Sequence, residues 1–495
     1  MLFVVRFFPE ITIKSRAVRR RFIRVLRRSL RTQLGAIDEG ISIVGEWDNL
    51  EIRTAVTDAE RLERMVTLLS HTPGIASVMQ VSKCPLPDLE GILALTRKSY
   101  MPLLQGKSFA VRCKRQGTHS FNSMDVERYV GAGLLMAGGT GGVNLNHPDV
   151  EVKIEIHHDE LFVVERWIKG LGGYPLGTQD GVLSLISGGF DSSVSSFMCI
   201  RRGLLTHYCF FNLGGREHEL AVKEVALYLW MKYGASHRVK FVSVPFEGVV
   251  EEIVTKVGKT QMGVVLKRMM LRAAEKVANM LKLEALVTGE SVAQVASQTL
   301  ANLAIIDAVT DKLVLRPLIT TDKQDIIDIA RQIGTEDFSK NVPEYCGVIS
   351  VKPTTRARLP KIEAEEALFD FGVLEAAIEN CEIQMIDRVI EGLGNRAVRV
   401  QEFSAPEVDA VVIDIRHPEE EELRPLVFAD GAANHVEKIP FYQLRTRFAQ
   451  LPTDRNYLLY CDRGMMSRLH ASHLRDAGHL NVAVFRPVGA SPARD

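Results

Sequence analysis

Two glycines and several hydroxyl side chains in the middle of the chain form a pattern suited to binding phosphate. The run Ser187-Gly-Gly-Phe-Asp-Ser192 follows an apolar, strand-like segment and precedes a helix that we expect to begin at Ser192 or Ser193. Glycine lets backbone amides approach an anion, and a helix N-terminus adds unpaired N–H groups and a favourable dipole. The loop therefore predicts a pyrophosphate site, with Asp191 facing a magnesium ion or the helix amides.

A cysteine near the C-terminus has a second setting suited to chemistry. Residues 457–461 read Tyr-Leu-Leu-Tyr-Cys, a strand pattern, and a helix is predicted shortly after them. The sulfur of Cys461 would lie among backbone N–H groups at a helix N-terminus, with Arg463 and Arg468 close in sequence. Such a setting stabilises a thiolate or a persulfide. We expect Cys461 to carry sulfur, and a purely structural cysteine is the alternative.

The other cysteines give less reason to expect chemistry. The chain has seven cysteines, with no CxxC pair and no Cys/His cluster, which argues against a structural zinc site or a secreted disulfide framework. Most should be buried apolar side chains. Cys346 differs because Pro343 and Gly347 bound its loop, and an accessible thiol permits exchange chemistry. On the residues alone, an inert Cys346 is an equally good interpretation.

Two further positions are suited to an anionic ligand. Thr288-Gly-Glu290 ends a predicted strand at the edge where parallel sheets bind ligands, and Gly289 would let the backbone approach a nucleotide. Thr321 and Gln324 fit a capping box, which places Lys323 in a first helical turn, where a cation is disfavoured unless an anion lies nearby. A lysine extending into water is the alternative.

The elements that must position these groups follow from the apolar pattern. Residues 182–390 alternate apolar β-type runs with longer helical segments, which predicts a parallel sheet covered by helices. A glycine-rich stretch precedes this part, and a change in composition before residue 408 follows it. The runs VVIDIR and YLLYC then predict a small second α/β unit.

The N-terminal end is strongly basic, although the whole chain has no net charge. Residues 15–34 predict one helix, with apolar residues at helical spacing from Val18 to Leu30. Its other faces carry arginine, so we expect it to bind phosphates through Arg20, Arg24 and Arg27. A solvated basic face or a mitochondrial transit peptide are the alternatives, the latter disfavoured by strand-like segments on both sides of the helix.

Residues 108–165 predict a small α+β sandwich in the order strand, helix, strand, strand. The runs FAVRCKRQGTHSFNSMDVERYVG and HPDVEVKIEIHHDELFVV resemble the THUMP domain of tRNA-modifying enzymes. This resemblance implies RNA docking, with Lys114, Arg115 and His119 near the docking surface. Solvated basic residues at a strand end remain the alternative.

SGGFDS resembles the SGGxDS signature of PP-loop ATP pyrophosphatases, which split ATP into AMP and pyrophosphate while adenylating a substrate. The resemblance implies that Lys267, in the helix QMGVVLKRMM, and Gln298, in VASQT, also contact the nucleotide. A solvent lysine is the alternative for Lys267. The implied ATP contacts are Leu185, Ile186, Ser187, Gly188, Gly189, Asp191, Ser192, Lys267, Gly289, Gln298 and Lys323.

CDRGMMS resembles the active loop of rhodanese domains, and VVIDIR resembles the strand that precedes it in that fold. The usual GHIPGA segment is replaced by EKIPFYQL, a departure that implies an internal partner.

The order of these parts resembles the tRNA 4-thiouridine synthetase family along essentially the full length. The implied fold is multidomain α+β and α/β, with a ferredoxin-like domain at 1–74, THUMP at 75–166, a doubly wound PP-loop domain at 176–392 and a rhodanese-like domain at 405–495. The implied reaction adenylates uridine 8 of tRNA with ATP and Mg²⁺, after which persulfide sulfur on Cys461, supplied by a cysteine desulfurase, displaces AMP.

The resemblance also implies catalytic roles for Asp191, Cys346 and Cys461. If Cys346 attacks the persulfide, a Cys346–Cys461 disulfide forms and a cellular thiol reductant must reopen it. Some long members of the family also pass sulfur to a sulfur-carrier protein in thiamine thiazole synthesis.

Two other functions are alternatives to tRNA thiolation. A dedicated thiamine-pathway sulfur carrier with a secondary RNA role needs no polyanion surface, so the basic helix argues against it. A non-catalytic tRNA-binding scaffold does not explain SGGFDS and Cys461. The sequence shows no secretory signal and no run near the roughly 20 apolar residues of a membrane span, which predicts a cytoplasmic location without a membrane partner.

Overall fold

The computed structural model describes residues 1–45, 49–213, 215–340, 352–389, 400–405, 410–416, 418–426, 436–462, 464–476 and 478–487. The chain divides into two compact units, Met1–Pro175 and Leu176–Asp495.

The first unit is built on one seven-stranded sheet in the order β2-β3-β1-β4-β7-β6-β5. Its strands are β1 (Leu2–Phe7), β2 (Ser42–Val44), β3 (Asn49–Arg53), β4 (Ile75–Pro85), β5 (Phe109–Gln116), β6 (Val150–His157) and β7 (Glu160–Lys169). Its helices are α1 (Pro9–Thr12), α2 (Arg16–Leu34), α3 (Ala59–Ser70), α4 (Leu89–Tyr100) and α5 (Ser123–Met136). β4 pairs antiparallel with both β1 and β7, so the ferredoxin-like and THUMP-like segments share one sheet.

The helix predicted over residues 15–34 is confirmed as α2. Phe22, Leu26 and Leu30 are buried in the core beside β1 and β3, as the helical spacing predicts. Val18 was expected on the same face, but it is 37% exposed. This expectation was wrong because the core contacts of the helix begin one turn later, at Phe22.

The second unit contains a six-stranded sheet in the order β12-β11-β8-β9-β10-β13. Its strands are β8 (Gly181–Leu185), β9 (Leu205–Asn212), β10 (Lys240–Pro245), β11 (Ala285–Val287), β12 (Leu313–Leu315) and β13 (Glu382–Met385). The first five are parallel, as predicted, and β13 adds an antiparallel edge. Because β9 and β11 flank β8, the strand order reverses there, and ligands bind parallel sheets at such points.

Nine α-helices belong to this part of the described chain. They are α6 (Phe190–Arg201), α7 (Gly215–Leu229), α8 (Glu247–Lys256), α9 (Met262–Leu281), α10 (Leu300–Asp307), α11 (Lys323–Ile333), α12 (Glu336–Lys340), α13 (Leu359–Glu366) and α14 (Phe371–Glu379).

A five-stranded parallel sheet, in the order β14-β18-β17-β15-β16, follows in the same unit. Its strands are β14 (Glu402–Phe403), β15 (Val411–Asp414), β16 (Val436–Lys438), β17 (Tyr457–Tyr460) and β18 (Val482–Phe485). Its helices are α15 (Pro418–Leu423), α16 (Phe441–Phe448) and α17 (Met465–Asp476). The predicted strands VVIDIR and YLLYC are confirmed as β15 and β17, and Cys461 follows β17 at its carboxyl end.

The predicted multidomain combination of α+β and α/β parts is therefore confirmed. Within the ranges that the structure describes, no helix combines the length and the apolar character needed to cross a membrane.

Candidate active sites

The glycine-rich loop makes a tight turn at the carboxyl end of β8. Gly188 has a φ of +80°, a backbone conformation that favours glycine. α6 begins at Phe190, earlier than the expected entry at Ser192 or Ser193, because Gly189 in an extended conformation serves as its N-cap. The Ser187 amide donates a hydrogen bond to the Ser192 hydroxyl at 3.1 Å, which ties the loop to the first turn of α6.

Asp191 lies in that first turn and has two partners from distant parts of the chain. One carboxylate oxygen accepts a hydrogen bond from Lys323 Nζ at 2.8 Å, and the other accepts one from Gln294 Nε2 at 2.8 Å. Gln294 was not named from the sequence. The structure thus brings together Asp191 and Lys323, which are 132 positions apart.

The capping box proposed for Thr321 and Gln324 is wrong. Asp322 is the N-cap of α11, and the Gln324 side chain donates to Asp328 instead of reaching back. Lys323 is nevertheless in the first turn, as expected, and the anion beside it in this structure is the Asp191 carboxylate.

Gly289 lies where β11 ends against the start of α6. A Cβ atom added at Gly289 would come within 2.6 Å of the Asp191 carbonyl carbon and 2.8 Å of the Ser192 amide nitrogen. Because these are backbone atoms, a side chain at this position would displace the loop. Gly289 therefore lets the ends of two adjacent strands form one compact site.

A buried ion-pair network stands at the same edge of the sheet. Lys267 Nζ donates to Glu290 Oε1 at 2.6 Å, and Arg316 Nε donates to the other Glu290 oxygen at 2.8 Å. Burial alone would raise the pKa of Glu290, but the charges of Lys267 and Arg316 outweigh it and hold that pKa below its ordinary value. Glu290 and Arg316 were missed as site residues, although each follows a predicted strand at its carboxyl end.

Gln298 is buried in a single 3₁₀ turn, Ala296–Gln298. Its Oε1 atom has no hydrogen-bond partner among the described residues. A buried acceptor without a hydrogen bond destabilises a protein by about 1–3 kcal/mol. A ligand N–H group that donates to Gln298 Oε1 would remove this cost.

The glycine loop is also held by the chain around α12. The Ser339 hydroxyl donates to the Gly188 carbonyl at 3.1 Å, and the hydroxyls of Thr335 and Ser193 lie 3.3 Å apart. No sequence pattern indicates these contacts, because they join segments more than 140 positions apart.

Cys461 forms a separate candidate site and is only 8% exposed. The Ser467 amide in the first turn of α17 donates to its sulfur at 3.3 Å, and the Ser467 hydroxyl lies 3.4 Å from the sulfur. The neighbouring Asp462 pairs with Arg416 at 3.0 Å and Arg424 at 2.6 Å, which anchors the loop. The sulfur thus receives an N–H group from a helix N-terminus.

Arg468 pairs with a carboxylate that the sequence did not indicate. Its guanidinium donates to Glu402, a carboxylate on β14, at 3.1 Å. Arg463 and Cys346 lie outside the described residues, so their proposed roles remain predictions.

Three other cysteines have little access to solvent. Cys113, Cys199 and Cys209 are buried, as expected for apolar side chains. Burial raises the pKa of Cys199 to about 12, and burial is also the main cause that raises the pKa of Cys113 to about 11.

The residues predicted to bind tRNA differ in their exposure to solvent. Arg20, Arg24 and Lys114 are exposed. Arg27 donates to the Gly45 carbonyl, and Arg115 donates to the Gly117 carbonyl at 2.9 Å. The exposed arginines of α2 nevertheless make one basic helix face.

Four family profiles match successive parts of the chain. They are the ThiI ferredoxin-like domain at residues 2–79, the THUMP domain at 88–164, the thiamine biosynthesis protein (ThiI) at 177–371 and the rhodanese-like domain at 400–486.

Curated relatives match over the full length. The chain is 55% identical to a tRNA sulfurtransferase of Azotobacter vinelandii over 98% of its own length and 100% of that protein. The chain belongs to the tRNA sulfurtransferase family. A second tRNA sulfurtransferase, from Saccharophagus degradans, is 54% identical with the same coverage.

A solved member of this fold is a 4-thiouridine synthetase in complex with RNA and bound ATP. It matches 78% of this chain and 99% of its own, with a TM-score of 0.67 and 24% identity. At that identity the likeness shows the fold alone.

Proposed function

We propose that this protein uses ATP to adenylate O4 of uridine 8 in tRNA and replaces that oxygen with sulfur carried as a persulfide on Cys461. The observation that carries the proposal is the glycine loop at the reversal point of a parallel sheet, with Asp191, Lys323 and Gly289 converging on it. The names of the full-length relatives support tRNA as the substrate.

The pyrophosphate of ATP would bind the amides of the glycine loop and the N-terminus of α6. Lys323 and Lys267 each pair with a carboxylate, and phosphate oxygens would compete for both lysines. A Mg²⁺ ion arriving with ATP needs only one or two protein carboxylates, and Asp191 fits that role. Magnesium at Asp191 would release Lys323 to the phosphates.

The sulfur step follows from the chemistry of uracil, whose carbonyl oxygen is a poor leaving group. The persulfide of Cys461 attacks C4, a C–S bond forms, and AMP leaves with the electron pair of the C4–O bond. The uridine is then joined to Cys461 through an S–S bond. Attack of the Cys346 thiolate on the Cys461 sulfur releases 4-thiouridine and leaves a Cys346–Cys461 disulfide, which a thiol reductant reopens with two electrons.

Sulfur would come from a cysteine desulfurase, whose persulfide transfers a sulfur atom to the Cys461 thiolate. The proposal includes a second acceptor, the sulfur-carrier protein of thiamine thiazole synthesis. The thiamine biosynthesis description of the family profile at 177–371 favours this addition.

The test is Asp191→Ala, followed by measurement of 4-thiouridine in tRNA and of persulfide on Cys461. We expect 4-thiouridine and tRNA-dependent AMP formation to be lost while Cys461 still accepts sulfur, because different residues perform the two reactions. The matched control is Asp328→Ala, a half-exposed carboxylate on α11 that should leave both reactions unchanged. A normal 4-thiouridine content in the Asp191 variant would contradict the proposal.

A further inference from the structure

Three aromatic side chains connect the PP-loop part of the second unit, residues 176–389, with the rhodanese-like part, residues 400–487. Phe338 of α12 stacks on Phe441 of α16, with ring centroids 4.2 Å apart and planes inclined by 25°. Tyr228 of α7 lies 5.1 Å from Phe338 and 6.2 Å from Phe441. Phe338 and Phe441 are each 5% exposed. These three residues are called the aromatic cluster below.

On the rhodanese-like side, the aromatic cluster lies at the edge of the sheet that holds Cys461. The Phe441 amide donates to the Ile415 carbonyl at 2.8 Å, and the Ile415 amide donates to the Tyr460 carbonyl at 3.0 Å. Tyr460 directly precedes Cys461. Two backbone hydrogen bonds therefore connect Phe441 with the strand that ends at the reactive sulfur.

A second contact involves the helix that begins just after Cys461. The Nε2 atom of His470 on α17 lies 3.9 Å from a carboxylate oxygen of Glu224 on α7. The helices α16 and α17 thus both contact the PP-loop part. Each of them begins at the edge of the sheet where the strands end and where Cys461 lies.

On the PP-loop side, Phe338 lies between residues that hold the glycine loop. Ser339 donates to the Gly188 carbonyl, and Thr335 contacts Ser193 at the start of α6. One five-residue helix, α12, therefore contacts the glycine loop through Ser339 and the rhodanese-like part through the preceding residue, Phe338.

We propose that the aromatic cluster docks the rhodanese-like part with its Cys461 edge towards the PP-loop part, and that Phe338 and Phe441 are positioning residues for sulfur transfer. Buried aromatic pairs provide both apolar contact and a defined geometry. The docking would serve the step between the two half-reactions, in which the sulfur on Cys461 reaches the adenylated base. The assay of 4-thiouridine formation rests on the proposed function, whereas docking of the two parts can be measured without it.

The experiment compares three reactions in the full-length Phe441→Ala variant. They are persulfide loading of Cys461, tRNA-dependent AMP formation, and 4-thiouridine formation in a single turnover with preloaded enzyme. We expect the third rate to fall about tenfold, the effect of removing one well-packed aromatic ring, while the first two stay within about twofold. Phe441→Leu keeps apolar volume and should restore most of the transfer rate.

Phe448→Leu is the matched control, because Phe448 lies on the same helix but packs against Tyr457 and His479 inside the rhodanese-like part. It should lower stability without a selective loss of transfer. Phe338→Ala should reproduce the Phe441→Ala effect, and the double variant should be no slower than either single one, because both remove the same stacked pair.

Backbone amide hydrogen exchange measures docking without any thiolation. Exchange in α12 and α16 should be faster in Phe441→Ala than in the wild type, and unchanged exchange would overturn the docking. Wild-type transfer rates in Phe441→Ala, or equal losses in all three reactions, would overturn the positioning role. A wild-type protein that makes no 4-thiouridine would contradict the proposed function and leave the exchange result standing.

Discussion

Gly289 has no space for a side chain, because the backbone of Asp191 and Ser192 occupies the place of a Cβ atom. We predict that Gly289→Ala weakens ATP binding and destabilises the second unit by about 1–3 kcal/mol, the usual cost of overpacking. Calorimetric ATP binding and thermal unfolding measure the two effects. Gly248→Ala is the control, since its nearest neighbour would lie at an ordinary 3.5 Å and alanine favours the helix.

Sequence reasoning named several residues that the structure brings to the ATP loop, including Asp191, Gly289 and Lys323. These residues could be predicted because each follows a strand or opens a helix, and parallel strands bring such positions to one edge of the sheet. Gln294 and Ser339 could not be predicted, because only the three-dimensional path of the chain places them beside the loop. The pairing of Arg468 with Glu402 could not be predicted either, because the two residues are 66 positions apart.

His207 predicts a pH dependence of stability. Burial, with help from the charge of Lys240, lowers the pKa of His207 to about 4, whereas the unfolded chain has a value near 6.5. The unfolded state therefore binds the proton first as the pH falls, and stability is lost between about pH 6.5 and pH 4. From pH 7 to pH 5 the loss should be about 2 kcal/mol.

The His207→Asn variant should remove most of this slope while keeping an acceptor for the Lys240 amide, which donates to His207 Nδ1 at 3.0 Å. Urea unfolding at pH 7, 6 and 5 measures the change. The exposed His147→Asn serves as the control, and a wild-type slope in His207→Asn would contradict the prediction.

At the scale of elements, α2 presents exposed arginines to solvent while its apolar residues pack on the sheet. Reversing Arg20 and Arg24 to glutamate should weaken tRNA binding. It should also flatten the salt dependence of the binding constant by about 0.7–0.9 for each phosphate that the helix no longer binds. Arg27 is left unchanged, because its bond to the Gly45 carbonyl would add a stability effect.

The control for α2 reverses Lys256 and Lys361, two exposed lysines of the second unit, which alters the net charge equally. Binding titrations from low to moderate salt compare the variants. Equal decreases in affinity in both double variants would indicate a general charge effect and contradict a phosphate site on α2.

Most elements followed from apolar periodicity, and the exceptions have physical reasons. β13 was not anticipated because its four residues, Glu382–Met385, form an exposed edge and lack a buried apolar run. α6 begins earlier than expected because glycine also caps helices, so the turn and the helix overlap. Both errors concern boundaries or edges, where side-chain patterns carry the least information.

At the scale of the whole molecule, the resemblance to the family predicts that Cys346 and Cys461 act as a pair. One turnover without reductant should leave a disulfide between them, and Cys346→Ala should keep persulfide loading but lose multiple turnover. Peptide mapping under non-reducing conditions provides the measurement. Finding Cys461 bonded to Cys84 or Cys381 instead would remove Cys346 from the mechanism.

The strand β4 gives one of its edges to β1 and the other to β7. A gene fragment ending soon after β4 would leave a long row of N–H and C=O groups without partners, and such open edges recruit other chains into aggregates. The ferredoxin-like and THUMP-like segments are therefore inseparable in practice. We expect natural recombination and protein engineering to move residues 1–169 only as one piece, although sequence profiles recognise two modules within them.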